Sequence, residues 1–171
     1  MQKILLAIDG ITPDKKALYY AVELCKRIQA ELAVLEIISY RNYFRYFKSW
    51  GDRVNQARKY VENSMVAVTF AEAGNHEMAR ALQEEAQKKF SQLLPESERD
   101  AVHCHLSMKS GSPDKEIVRY VNDHRDIVLT IYDTLEHETA ETAGERKTKP
   151  VSRRIRQQLL TPLVVVKGLR G

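Results

Sequence analysis

Two aspartates that end apolar runs of the sequence are the first residues that could do chemistry. Asp9 closes the run KILLAID and is followed by Gly10, and Asp133 directly follows the run DIVLTIY over residues 126–132. A polar side chain in such a place lies where open α/β sheets bind their ligands, outside the carboxyl ends of the strands. Asp9 has an equally simple structural interpretation as a turn former that ends a strand. Both interpretations stay open on the sequence alone.

A second charged group surrounds the predicted start of the last helix. It comprises five acidic residues, Asp133, Glu136, Glu138, Glu141 and Glu145, and six basic ones, Arg146, Lys147, Lys149, Arg153, Arg154 and Arg156. Basic side chains at a helix start oppose the helix dipole unless an anion or neighbouring acids neutralise them. One hypothesis is therefore an acidic lid over a basic anion site, and the other is a solvated loop of mixed charge.

His103 and His105 alternate along a predicted strand, with Cys104 facing the other way. Two imidazoles could share a metal ion, but no third ligand stands at a recognisable spacing. We therefore predict no metal site and interpret the pair as polar residues of an edge strand. Cys104 and Cys25 lie outside any CxxC pattern, and we expect two reduced, packed thiols.

Composition narrows the class of protein. The chain has 171 residues, of which 43% are hydrophobic and 29% charged, which is typical of one globular domain, here residues 1–171. No run reaches the roughly 20 apolar residues of a membrane span, and the first residues do not resemble a signal peptide, so we expect a cytoplasmic protein. The net charge of +4 is too small to predict nucleic-acid binding. No Walker, nucleophile or paired-carboxylate motif is present, so we predict that the protein is not an enzyme.

The elements that must position these residues alternate between strand and helix. Apolar runs predict strands over residues 3–10, 31–38, 101–108, 126–132 and 162–166. Helices are predicted after Thr12, with Pro13 at the first helical position, from Ser112-Pro113, and from Pro150. Parallel strands separated by helices indicate an α/β fold with an open, doubly wound, five-stranded parallel sheet.

An extended helical connection is predicted between the second and third strands, over residues 39–100. Apolar residues at helical spacing over 54–68 and 78–90 predict two helices or one bent helix. Before them, residues 40–50 hold six aromatic side chains among basic ones, a pattern that favours packing or a subunit interface. Residues 39–75 could accordingly bind a protein partner.

Three segments carry a resemblance to a known family. The opening KILLAIDG, the block GSPDKEIVRYVNDHRDIVLTIY and the closing PVSRRIRQQLLTPLVVVKG resemble, in this order and spacing, the universal stress proteins. The resemblance implies the strand order 3-2-1-4-5, with the ligand crevice between the first and fourth strands. Asp9 matches the aspartate that helps to hold adenosine in the nucleotide-binding members.

The resemblance also defines a candidate nucleotide or anion pocket, made of Asp9, Gly10, Ile38, Asp133, Val151, Ser152 and Arg153. ATP-binding members follow the fourth strand with closely spaced glycines and a Gly-Ser or Gly-Thr, whose backbone N–H groups approach the phosphates. Here no glycine follows until Gly144, and Lys149-Pro150 stands at the Gly-Ser position. The chain thus resembles the branch without the ATP motif. We predict no cofactor, with ATP or AMP as the alternative.

The last strand, Leu163, Val164, Val165 and Val166, is where relatives commonly pair, so the resemblance implies a homodimer. We expect a non-catalytic stress-response or signalling protein with a degenerate nucleotide pocket. The alternatives are a nucleotide-binding switch or slow ATPase with an altered phosphate loop, and an adaptor that binds a partner through residues 39–75.

Overall fold

The computed structural model describes residues 1–10, 12–39, 76–93, 101–134 and 151–167. They form a five-stranded sheet in the order β3-β2-β1-β4-β5, in which each neighbouring pair is parallel. The strands are β1 (Lys3–Asp9), β2 (Glu31–Ile38), β3 (Cys104–Ser110), β4 (Ile127–Thr134) and β5 (Leu163–Lys167). The predicted fold class and strand order are confirmed.

Four described helices cover the two faces of this sheet. They are α1 (Lys15–Ile28), α2 (His76–Leu93), α3 (Pro113–Asp123) and α4 (Val151–Gln158). Side chains of α1 and Phe90 of α2 share one apolar cluster with Ile4, Leu6 and Ile8. The other cluster joins α3 and α4 to Leu5 and Ala7. Alternate residues of β1 therefore enter different cores, because successive strand residues point to opposite faces.

The start of α1 corrects one prediction from the sequence. Thr12 is not the cap and Pro13 is not the first helical residue, because the helix begins at Lys15 with Asp14 as its N-cap. The Asp14 carboxylate accepts hydrogen bonds from the backbone N–H groups of Lys16 at 2.9 Å and Ala17 at 3.4 Å. Asp14, two residues after Thr12, thus accepts hydrogen bonds from the backbone donors of the first helical turn. At α3 the prediction is confirmed, with Ser112 as N-cap and Pro113 at the helix start.

Some strand boundaries also differ from the prediction. The third strand begins at Cys104 rather than at 101, and extends to Ser110. The fourth strand continues past Tyr132 through Asp133 to Thr134. Backbone pairing to neighbouring strands sets these ends, and a short apolar run does not report it.

The connection between β2 and β3 contains the helix predicted near 78–90, which is α2. The predicted helix over 54–68 and the aromatic segment over 40–50 lie outside the described residues. Among the helices that are described, none combines the length and the apolar character needed to cross a bilayer.

Candidate functional site

The carboxyl end of β1 presents the first part of the candidate site. Asp9 is buried and its Cα is aligned with Ile37 of β2. The backbone N–H of Gly10 donates to the Ile37 carbonyl oxygen at 2.9 Å, and Gly10 has a φ of 130°. L side chains rarely adopt this φ, so the turn that follows Asp9 requires the glycine.

Asp133 lies at the same edge of the sheet, but on the opposite face from Asp9. Its Cα is aligned with Ile8, so alternation places it on the face covered by α1. It is fully buried, and its Oδ2 accepts a hydrogen bond from the backbone N–H of Asp14 at 2.6 Å. Asp133 therefore ties the start of α1 to the end of β4.

Ile38 ends β2 close to the turn into α3. The backbone N–H of Gly111 donates to the Ile38 carbonyl oxygen at 3.2 Å, and Gly111 has a φ of 146°. The buried Ile38 side chain clusters with Ala86 and Met108, on the side of α2. The backbone of Ile38 thus lies at the carboxyl ends of the strands, as predicted, while its side chain packs in the core.

The first turn of α4 contains the other three predicted pocket residues. Val151 is buried in the cluster that includes Ala7 and Tyr132, whereas Ser152 is half-buried and Arg153 is exposed. Ser152 and Arg153 are therefore the members of this turn that solvent reaches. Val151 anchors the helix to the sheet.

Arg154 connects α4 to the start of α3. Its Nε lies 3.3 Å from Oδ2 of Asp114, whose other oxygen accepts a hydrogen bond from the Ser112 hydroxyl. Burial alone would raise the pKa of Asp114, but the Ser112 hydrogen bond and the Arg154 charge hold it below its ordinary value of 3.8. One cation of the basic cluster is thus already paired within the protein.

Four chain segments meet at the carboxyl ends of the strands. The ends of β1 and β4 and the starts of α3 and α4 meet there because all strands run in the same direction. On the face of α3 and α4, the Asp9 carboxylate can accept hydrogen bonds from hydroxyl or amide donors. Of the acidic residues assigned to the hypothetical lid, Asp133 is described, whereas the other four and the Lys149-Pro150 step fall within residues 135–150, outside the described residues.

Two further groups at this site were missed by sequence reasoning. Asp14 was overlooked because Thr12 is also a good cap, and the choice depends on where the backbone becomes helical. The pair of Asp114 and Arg154 joins two helices that no local pattern relates. The acidic residues in the first turn of α3 were the only sequence feature that indicated a charged contact at this helix start.

Comparison with known proteins agrees with this architecture. The model of the universal stress protein family matches residues 1–167, and no curated protein matches. The chain belongs to the universal stress protein family.

Solved structures of this family are similar over nearly the whole chain. The universal stress protein UspA from Lactobacillus plantarum is 16% identical, with a TM-score of 0.52 and 97% of each chain covered. The universal stress protein from Archaeoglobus fulgidus in complex with dAMP is 12% identical, with a TM-score of 0.51 and 98% of each chain covered. A family protein from Arabidopsis thaliana with AMP bound is 13% identical, with a TM-score of 0.50, 99% of this chain and 93% of that chain covered. At these identities the likeness shows the fold.

Proposed function

We propose that the protein is a non-catalytic stress-response or signalling module whose nucleotide crevice no longer binds a triphosphate. The observation that carries the proposal is the contrast between the two halves of the crevice. Asp9 and the positive-φ Gly10 lie at the carboxyl end of β1, where open α/β sheets bind their ligands. After β4, the sequence lacks the glycines whose N–H groups would approach phosphates.

The described contacts support this proposal. Asp133 accepts the Asp14 amide, and Arg154 is paired with Asp114, so both are engaged in holding helices in place. Arg153 and Ser152 are the remaining polar residues at the start of α4. The dAMP and AMP complexes of the two relatives make a nucleoside monophosphate the ligand to compare with ATP.

A thermal-shift series with AMP and ATP tests the proposal. Ligand at 100 times its dissociation constant stabilises a protein by roughly 2.7 kcal/mol, which is readily measured. We expect no rise in Tm with millimolar ATP and no ATP hydrolysis. The substitution Asp9→Asn is compared with Asp123→Asn, which changes an exposed aspartate at the end of α3.

Stabilisation by ATP that disappears in Asp9→Asn and persists in Asp123→Asn would overturn the proposal. It would favour the alternative, a nucleotide-binding switch or slow ATPase. A rise in Tm with AMP but not with ATP, lost in Asp9→Asn, would agree with the proposal and indicate a pocket that binds a nucleoside monophosphate.

We further propose that the protein is a homodimer that pairs through β5. This strand is at the edge of the sheet, and its residues Leu163 to Val166 are half-buried in the single chain. The nearby Leu160 side chain is 99% exposed. An apolar strand at an open edge favours pairing with another strand.

Sedimentation velocity at micromolar concentration tests the dimer. A charge on an edge strand opposes strand pairing, so Val164→Lys is expected to shift the protein toward monomer. Val118→Lys, which alters another half-buried valine, on α3, is the matched control and should leave the dimer unchanged. Circular dichroism is the check that both variants are folded. A monomeric unsubstituted chain would contradict the proposal.

We also propose a reducing, cytoplasmic location. Cys25 and Cys104 are both free thiols. Burial raises the pKa of Cys25 to about 12 and that of Cys104 to about 11, so neither is readily ionised. Unpaired, unreactive thiols are typical of proteins kept in a reducing compartment.

A further inference from the structure

Three potential metal ligands meet at the amino ends of β2 and β3, away from the nucleotide crevice at the carboxyl ends. Glu31 is the first residue of β2, and His103 directly precedes β3, in which His105 is the second residue. The Cα of Leu32 is aligned with Cys104 and that of Ala33 with His105. The backbone N–H of Leu32 also donates to the His103 carbonyl oxygen at 2.9 Å. This register puts Glu31 beside the two histidines.

The side chains converge as well as the backbones. One ligand atom from each of Glu31, His103 and His105 lies within 4.8 Å of the others. His105 Nε2 is 3.9 Å from Glu31 Oε2, and the two imidazole rings are 4.5 Å apart at their centroids, edge to face. Ligands about 2.1 Å from a tetrahedral ion are about 3.4 Å from one another. Small side-chain rotations therefore bring these atoms to coordinating distance.

The cationic neighbour of Glu31, Lys3, pairs more closely with another carboxylate. Lys3 Nζ lies 3.8 Å from Glu31 Oε2 but only 2.7 Å from Asp126 Oδ2, so Asp126 is the closer partner of the lysine. The Glu31 side chain is 19% exposed and that of His105 is 51% exposed. A cation from solvent can reach the site, and water can fill its open coordination positions.

We propose that Glu31, His103 and His105 bind a divalent transition-metal ion of the Zn²⁺ class. Two imidazole nitrogens and one carboxylate oxygen suit zinc, copper or nickel, whereas Mg²⁺ and Ca²⁺ prefer all-oxygen sites. Three protein ligands leave at least one position for water. This site is independent of the crevice at Asp9, and nothing in the proposed function requires it.

Isothermal titration of the full chain with ZnCl₂ at neutral pH tests the site. We expect one Zn²⁺ per chain. The affinity for Zn²⁺ should fall at least about tenfold in each of His103→Ala, His105→Ala and Glu31→Gln. Loss of a residue that only hydrogen-bonds to a metal ligand already lowers metal affinity by about tenfold. The controls are His124→Ala and Glu84→Gln. His124 Nδ1 is already 2.9 Å from the Tyr120 carbonyl oxygen, and Glu84 is an exposed residue of α2 that pairs with Arg80. Both controls should bind Zn²⁺ like the unsubstituted chain.

Imidazole NMR signals identify which histidines bind the ion. On addition of Zn²⁺ the signals of His103 and His105 should shift together, and that of His124 should not. Absence of Zn²⁺ binding in the folded, unsubstituted chain would overturn the proposal. Binding that persists unchanged in the double variant H103A/H105A would overturn it equally, because the ion would then lie elsewhere.

Discussion

Glu36 is a carboxyl group in the middle of an otherwise apolar strand. It is fully buried, and neither of its oxygens has a hydrogen-bond partner among the described residues. Burial raises its pKa to about 8, against a smaller lowering by the charge of Lys89. A carboxyl group with this pKa is mostly protonated at neutral pH, which avoids a buried, unpaired charge.

The raised pKa of Glu36 predicts a specific pH dependence of stability. Between its ordinary pKa of 4.5 and about 8, the folded state keeps a proton that the unfolded state has lost. The free energy of unfolding should therefore fall as pH rises through this window, by up to about 1.4 kcal/mol per pH unit. Above about pH 8 the folded state also loses the proton, and this contribution stops changing.

Chemical unfolding of Glu36→Gln across the same pH range measures the effect. The variant cannot ionise at this position, so its stability relative to the unsubstituted chain should increase from pH 5 to pH 8. Glu84→Gln, on the exposed face of α2, should show no such increase. Equal pH profiles for Glu36→Gln and the unsubstituted chain would contradict the assignment.

At the scale of elements, one partly buried ion pair adds to the apolar contact between α3 and α4. Asp114 is buried in the first turn of α3, and the Arg154 side chain is 39% exposed. Because the pKa of Asp114 is lowered, the pair stabilises the fold above the ordinary pKa of 3.8. The contribution is lost as pH falls through the lowered pKa.

Removing Arg154 should loosen this helix pair. We expect Arg154→Ala to reduce the free energy of unfolding by about 1 kcal/mol at neutral pH, less in high salt, because the arginine side chain is itself partly exposed. Arg153→Ala, one position earlier on the exposed side of α4, should change it by less than about 0.5 kcal/mol. Urea denaturation at two salt concentrations provides both values. An equal cost for the two variants would show that the pair does not hold the helices.

At the scale of the whole molecule, the central strand β1 is far more buried than the edge strand β5. β1 is hydrogen-bonded to strands on both sides, and Leu6 is fully buried between Val34 and Ile131 of those strands. By contrast, Leu160 precedes the edge strand and is 99% exposed. Apolar composition alone does not distinguish these two leucines.

Truncation of the two leucines should separate their roles. Leu6→Ala is expected to cost about 2–5 kcal/mol, because it leaves a cavity in the core that β1 shares with α1. Leu160→Ala should change the free energy of unfolding of the monomer by less than about 0.5 kcal/mol. Denaturation monitored by circular dichroism tests both, at a concentration where the chain is monomeric. A small cost at Leu6 would mean that the core collapses around the missing side chain.

The sequence by itself determined the order of strands and helices along the chain, and it predicted where the candidate binding site lies. Continuous apolar runs such as β1 and β2 are local signals, and Asp9-Gly10 at the end of one run predicts the edge directly. Glu36 was also visible as a charge inside an apolar run, although its significance was missed. The strand order 3-2-1-4-5 came from the family resemblance, since local patterns do not specify which strands pair.

The tertiary structure alone decided which distant residues meet. Asp14 reaches Asp133, Arg154 reaches Asp114, and Glu31 joins His103 and His105. Each of these contacts depends on strand register and helix position, which set the face and the height at which a side chain emerges. Asp9 and Asp133, similar as ends of apolar runs, consequently occupy opposite faces of the sheet. The histidines that lacked a third ligand in the sequence have one beside them in the fold.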